Sequence, residues 1–232
     1  MRATVLLLAA GSGDRLLARV PKALVELDGV PLVRRAAEAA CAASGVEDLV
    51  VSAPEGHLDG VRKALTRLSK PVSIVAGGAS RQASAAAALA QAASADAVVV
   101  HDAARALCPP RLFDRCLDEL DRASAVCAAI PVTDTIKEAD EGVVRSTLDR
   151  SRLWAAQTPQ AFRAEVYRRA HAAAARDGIV VTDDAALVER LGMRVRVIPG
   201  DPTNIKITTA ADLKIAEALL AAHTSRALEA AD

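Results

Sequence analysis

The residues best suited to handling a phosphate lie near the amino terminus. Leu8-Ala9-Ala10-Gly11-Ser12-Gly13-Asp14-Arg15 follows an apolar run, and Pro21-Lys22 comes soon after. Glycine has no Cβ, so the backbone N–H groups around Ala9, Ala10, Gly11 and Gly13 can approach a phosphate closely. Arg15 offers a fork that bridges two phosphate oxygens, and Lys22 offers a point charge. Two cations beside such a loop suit a reaction in which negative charge builds on phosphorus. Position 16 is leucine, whereas a dinucleotide fingerprint needs a third glycine there, and no Gly-Lys-Ser/Thr ends the loop as in a P-loop. Gly-x-Gly after a strand is equally compatible with a tight turn, and an isolated Arg and Lys with solvated surface.

Other reactive residue types suggest less. Cys41, Cys108, Cys116 and Cys127 form no C-x-x-C pair and sit at no zinc-finger spacing with histidine, so they read as small buried hydrophobes in a reducing compartment. His101 precedes Asp102, but neighbours on a strand point to opposite faces, so His101 reads as structural. No Ser-His-Asp or Cys-His arrangement stands out.

The elements that must position the loop alternate along the chain. Residues 3–9 read as a buried strand, and a helix follows over about 31–43, closed by Gly45. Leu49 to Val51 is a second strand, 58–68 a helix, Val72 to Val75 a third strand and 81–93 a helix. Ala97 to Val100 is a fourth strand, ending at His101-Asp102. Pro109-Pro110 opens a further helix, and Ala125 to Val132 is a strand. Helices are expected over 163–176 and 183–191, then a strand from Val195 to Ile198. Thr209 and Asp212, at capping-box spacing, open a last helix to about 222. This alternation predicts an α/β domain over 1–225, with a mostly parallel sheet covered on both faces and a disordered tail over 226–232. Ligands bind such sheets at the carboxyl ends of the strands. Residues 133–150 break the pattern and read as a protruding β-hairpin arm. Such an arm is marginal alone, so a partner subunit is expected to cover it.

Composition narrows the partners. Half of the 232 residues are apolar and the net charge is zero. Without a basic tract or a row of aromatics, nucleic acid is not an expected partner. No apolar run reaches the ~20 residues of a membrane span, and the apolar start is too short for a secretory signal, so a cytoplasmic location is expected.

Further motifs run along the chain: Gly77-Gly78-Ala79-Ser80-Arg81-Gln82-Ala83-Ser84, His101-Asp102-Ala103-Ala104-Arg105, Asp134-Thr135-Ile136-Lys137, Asp149-Arg150, Gln157-Thr158-Pro159-Gln160, Thr182-Asp183-Asp184 and Asn204-Ile205-Lys206. With the opening loop, they resemble the 2-C-methyl-D-erythritol 4-phosphate cytidylyltransferase family, within the sugar nucleotidyltransferases, over roughly residues 3–220. The resemblance implies a three-layer α/β/α, Rossmann-like nucleotidyltransferase fold. It implies that Arg15 and Lys22 stabilise pentacoordinate phosphorus, and that Gly78 and Ser84 lie at the cytosine and ribose end of CTP. Asp102, Ala103 and Arg105 would sit near the sugar and the acceptor, and Arg150 and Lys206 would hold the acceptor phosphate. Thr135 and Arg150 lie on the arm, which in this family crosses to the other subunit of a homodimer. Thr182 would join the substrate-binding residues. Asp102 has an alternative as a helix N-cap, and so has Thr182, for a helix beginning at Asp183. Leu8, Ala23 and Ala79 stand where some members have proline, glutamine and aspartate.

The implied reaction transfers CMP from CTP to a sugar-alcohol phosphate and releases pyrophosphate. The attacking oxygen is already anionic, so positioning and electrostatic stabilisation must do most of the catalysis. Mg²⁺, or another divalent cation, would be bound mainly through the CTP phosphates. Rival readings are a ribitol 5-phosphate cytidylyltransferase, an NAD-dependent oxidoreductase and a non-catalytic CTP-binding regulatory protein.

Overall fold

The computed structural model describes residues 1–11, 13, 16 and 20–229, with side chains as far as 222. Arg15 lies outside the described residues, and so do Ser12 and Asp14 of the same loop.

The strands are β1 (Ala3–Leu8), β2 (Glu26–Leu27), β3 (Val30–Pro31), β4 (Asp48–Ala53), β5 (Val72–Ala76), β6 (Ala97–Asp102), β7 (Ala125–Pro131), β8 (Lys137–Asp140), β9 (Val143–Thr147), β10 (Trp154–Arg163) and β11 (Arg196–Pro199). The helices are α1 (Leu32–Ala42), α2 (Leu58–Ala64), α3 (Arg81–Gln91), α4 (Pro110–Asp118), α5 (Ala164–Asp177), α6 (Asp184–Glu189) and α7 (Ala210–Glu229). Seven strands form one sheet in the order β11-β7-β10-β6-β1-β4-β5. All pairings are parallel except those of β10, which runs antiparallel between β6 and β7.

Strict alternation along β1 divides the core. Ala3, Val5 and Leu7 face a cluster with Ala36 and Ala37 of α1, Val61 of α2 and Phe113 of α4. Leu6 and Leu8 face the other side, against Ala85 and Ala88 of α3, Tyr167 of α5 and Leu187 of α6. Helices therefore cover both faces, which is why every residue of β1 and of β6 is buried. Alanines on the inner faces of α1 and α3 let these helices approach the sheet closely. Phe162 and Tyr167 stack at 4.6 Å in the core.

From β1 the chain builds outward through β4 and β5, then returns to the opposite side of β1 as β6. This reversal of strand order opens a crevice at the carboxyl ends of β1 and β6. A small third core seals one side of it. Leu16, Leu27 and Leu32 pack there with Ala106, Ile207 and Ala216 of α7. That cluster ties the loop after β1 to the segment that carries Lys206.

Several boundaries differ from expectation. β10 was not foreseen: Trp154-Ala155-Ala156-Gln157 lacks a β-branched pattern, and Pro159 reads as a loop residue. Proline donates no ladder hydrogen bond, and the pairing of β10 with β7 is interrupted between Ala156 and Gln160. α2 ends at Ala64 instead of 68, and α7 runs to Glu229 instead of ending near 222. The expected arm is present as β8 and β9, exposed along almost all its length. Thr209 and Asp212 cap α7 reciprocally, since Asp212 accepts from the Thr209 N–H at 2.8 Å and donates its own to Thr209 Oγ1 at 3.2 Å.

Candidate active site

The loop after β1 is shaped by what surrounds it. The Ala9 N–H donates to Ser52 O at 2.8 Å, so Ala9 continues the edge of the sheet. Gly13 has φ +79, and a Cβ there would lie 2.5 Å from Lys22 Cβ. Position 13 thus needs glycine twice over, for its left-handed backbone and for the passage of Lys22. Lys22 opens a short 3-10 turn over Lys22–Leu24, directly after Pro21. The loop after β5 is equally tight: a Cβ on Gly78 would lie 2.5 Å from Ala83 Cβ. Ser84 Oγ accepts from the Gly78 N–H at 3.1 Å and donates to Ser80 O at 2.9 Å, so this buried hydroxyl pins the loop to the start of α3.

These loops enclose a cleft of about 530 Å³ whose walls include Ala9, Ala10, Gly11, Gly13, Lys22, Gly78, Arg81, Ser84, Asp102, Ala103 and Lys206. Such a volume suits a nucleotide-sized ligand. Asp102, at the end of β6, is buried and joins two cations. Its Oδ1 lies 3.0 Å from Arg81 Nε, and its Oδ2 lies 2.7 Å from Lys206 Nζ. Burial alone would push the Asp102 carboxyl up, but Arg81, Lys206 and Arg105 outweigh it and hold the group well below the usual carboxylate range. Asp102 is therefore an anion among cations and caps no helix.

A second layer fixes Asp102. Its N–H donates to Thr158 Oγ1 at 3.0 Å. The Thr158 hydroxyl lies 3.1 Å from His101 Nδ1, and His101 Nε2 lies 3.3 Å from Arg105 O. A neutral ring protonated on Nε2 satisfies both contacts, because it accepts from Thr158 and donates to the carbonyl. Burial pushes the His101 pKa down to about 4, against the pull of Asp102. His101 is structural, as its position predicts.

Not every expected residue joins the cleft. Arg105 is half-buried, and its guanidinium donates to Asn204 O at 2.7 Å and Ala156 O at 3.3 Å. Its contacts fix the segment before Lys206. Thr135 and Arg150 are exposed on and beside the arm, outside the walls of this cleft, and Arg150 Nη1 donates to Thr133 O at 2.6 Å. Thr182 is exposed and is not the cap of α6. That role belongs to Asp183, whose Oδ1 accepts from the Ala186 N–H at 3.2 Å.

Three groups escaped the sequence reading as functional. Arg81 bridges Asp102 and Asp184. Thr158 supports Asp102, and Gln157 holds the loop before Lys206. Arg81 left a signal: it is the first residue of α3, where a cation opposes the helix dipole. Such a placement calls for nearby anions, and the fold supplies them.

A glycine-shaped loop at the switch point of a doubly wound sheet, with three cations and one carboxylate among the described residues of its cleft walls, defines an α/β protein built to bind a nucleotide by its phosphates. The family model described as IspD, 2-C-methyl-D-erythritol 4-phosphate cytidylyltransferase, matches residues 3–222, and the chain belongs to this family. It is 51% identical to the enzyme of that name from Rhodococcus jostii, over 91% of this chain and 92% of the relative. The crystal structure of the Thermus thermophilus protein of that name is similar, with a TM-score of 0.78 and 34% identity, over 94% of this chain and 98% of that one. A 4-diphosphocytidyl-2C-methyl-D-erythritol synthase from Anaerococcus prevotii reaches a TM-score of 0.84 at 26% identity, over the same shares of the two chains. The nucleotidyltransferase fold expected from the motifs is the observed one.

Proposed function

We propose that this protein is a cytidylyltransferase that joins CMP from CTP to 2-C-methyl-D-erythritol 4-phosphate, a step of the non-mevalonate route to isoprenoid precursors. The observation that carries this reading is the convergence of Lys22, Arg81, Lys206 and Asp102 on one cleft of a chain belonging to that family. A phosphate oxygen of the acceptor attacks the α-phosphorus of CTP. The bond to the β-phosphate oxygen breaks, and pyrophosphate leaves with its electron pair. The acceptor oxygen is anionic at neutral pH, so no general base is required.

The work of the protein is electrostatic. Lys22, with Arg15 from the same loop, stabilises charge on the pentacoordinate phosphorus. Lys206 steers the acceptor phosphate, and Asp102 fixes Lys206. Gly78 and Ser84 shape the end of the cleft assigned to cytosine and ribose. Asp102 is the one carboxylate among the described wall residues, and both its oxygens already accept from cations. A divalent cation therefore fits here only with most of its ligands drawn from the triphosphate, as suits Mg²⁺. When bound, it would neutralise phosphate charge.

Arg150 and Thr135 complete the site from the neighbouring subunit of a homodimer. Supporting this, the arm and its base expose Val143, Val144 and Trp154, at 69%, 55% and 44%. Apolar surface of that extent calls for a covering partner. The four cysteines are all buried and free, which suits a cytoplasmic enzyme. Among the described residues no helix is long and apolar enough to cross a membrane.

The test is pyrophosphate release with CTP and Mg²⁺, offering 2-C-methyl-D-erythritol 4-phosphate and ribitol 5-phosphate separately. Strong preference for the branched acceptor is expected. Preference for ribitol 5-phosphate would reassign the substrate, and silence with both would leave a CTP-binding protein.

A further inference from the structure

A chain of buried polar groups leads out of the cleft through Arg81. Its Nε faces Asp102 Oδ1 at 3.0 Å on the cleft side. Its Nη1 donates to Asp184 Oδ2 at 2.5 Å on the core side. Asp184 is 1% exposed, and its other oxygen accepts from the Tyr167 hydroxyl at 2.5 Å. Tyr167 is fully buried, stacked on Phe162 and edge-on to His171 at 4.5 Å. The mechanism uses neither Asp184 nor Tyr167, and neither forms a wall of the cleft. A carboxyl group buried this deeply with no ligand to bind needs partners for both of its oxygens. Here it accepts one arm of an arginine whose other arm serves the site.

We propose that Arg81 is a positioning residue for the transfer reaction, held by the buried Asp184–Tyr167 pair so that it fixes the Asp102 carboxylate and, through it, Lys206. The proposal rests on the cytidylyltransferase reading of this cleft. Arginine suits the task because its planar fork can meet two carboxylates in fixed directions, whereas a lysine ammonium cannot. Asp102 takes Arg81 on one oxygen and Lys206 on the other. A displaced Arg81 therefore frees Asp102 to swing and lets Lys206 drift. Anchorage by Asp184 also sets α6 and the segment before it against the start of α3. Gln82 adds to that, since its Nε2 donates to Ile179 O at 3.0 Å and its Oε1 accepts from the Val181 N–H at 3.1 Å.

The test is a double-mutant cycle on the full chain with two readouts. Asp184→Asn keeps the shape of a residue outside the cleft, and is expected to lower kcat/KM by about 10- to 100-fold, the scale of displacing a catalytic group by about 1 Å. Arg81→Met should lower it by at least about 10²-fold. The combined variant removes Arg81 and the Asp184 carboxyl together, so neither is left facing a lost partner, while Asp102 keeps Lys206, which guards against loss of folding. It should be no worse than Arg81→Met alone, because both changes cut the same link. The second readout is independent of turnover. Carbon-13 NMR titration of the Asp102 carboxylate, which faces Arg81 from α3, Lys206 from the loop after β11, and Arg105 and His101 from its own strand and turn, should move upward by roughly 1–3 pH units in Arg81→Met. Asp184→Asn with unchanged kcat/KM, a double variant that multiplies the two single losses, or an unmoved Asp102 titration would each overturn the proposal. An inactive parent protein would instead count against the transferase reading, and the titration would still decide the role of Arg81.

Discussion

Lys22 stands where it does because residue 13 has no side chain. A Cβ at Gly13 would lie 2.5 Å from Lys22 Cβ, a separation that real atoms do not tolerate, and the φ of +79 is itself unfavourable to other residues. Gly13→Ala should therefore act on the lysine. Turnover is expected to fall by at least about 10-fold, approaching the roughly 10²-fold loss expected of Lys22→Ala. Single-turnover measurement of CMP transfer, with folding checked by circular dichroism, tests both. A Gly13→Ala protein with normal turnover would show that the loop relaxes without moving Lys22. The glycine, lysine and arginine types in this loop were legible in the sequence as phosphate chemistry. The close approach of residues 13 and 22 was not, since residues nine apart in the chain are brought together only by the fold.

At the scale of elements, β10 organises the site. Gln157 Nε2 donates to Asp201 O at 2.9 Å, and its Oε1 accepts from the Asp201 N–H at 3.2 Å. Gly200 leaves room for this, because a Cβ there would lie 2.4 Å from that same oxygen. Gln160 Oε1 accepts from the Ala185 N–H at 2.9 Å, and Thr158 supports Asp102. One strand thus supports the end of β6 at Asp102, the start of α6 at Asp184 and the loop before Lys206. Gln157→Leu should leave the Asp201 backbone groups unsatisfied, at a cost of about 1–3 kcal/mol. Thermal unfolding should show a Tm lowered by several degrees. KM for the acceptor phosphate should rise more than KM for CTP, because the disturbed loop carries Lys206; equal rises would argue against that link. The motif Gln157-Thr158-Pro159-Gln160 was visible in the sequence, but its strand was not, because a proline between glutamines has no β pattern. The arm was legible, since its turn and β-branched runs are local. Its destination is a matter for subunit exchange. Mixing inactive Arg150→Ala with inactive Lys22→Ala should restore activity, because a mixed dimer with crossed arms holds one intact site. No recovery after verified exchange would place the whole site in one chain.

The whole molecule was legible wherever burial follows periodicity. The alternation of strand and helix predicted a mostly parallel sheet covered on both faces, and the sheet is of that kind. Histidines in that core escape such a reading, because their state depends on three-dimensional neighbours. His101 is fully buried with its pKa pushed down to about 4, and burial also lowers that of His171. Both stay neutral in the folded protein at pH values where an unfolded chain, titrating near 6.5, takes up protons. Stability is then full above about pH 6.5 and falls as the pH drops toward 4, because the unfolded state binds more protons throughout that window. For His101 alone, the displacement from 6.5 to about 4 corresponds to about 3 kcal/mol when complete, and to about 2 kcal/mol at pH 5. Asp102 acts in a lower window. Its depressed pKa contributes stability above the ordinary carboxylate range, and that contribution is lost only as the pH falls below about 4. Urea unfolding at pH 7, 6 and 5 should therefore show a midpoint that falls steadily, before any carboxylate is involved. His101→Gln should start lower at pH 7, having lost its paired contacts to Thr158 and Arg105, yet decline less between pH 7 and 5. An equal decline in that variant would mean that His101 charges within the fold, and that the Thr158 contact does not depend on a neutral ring.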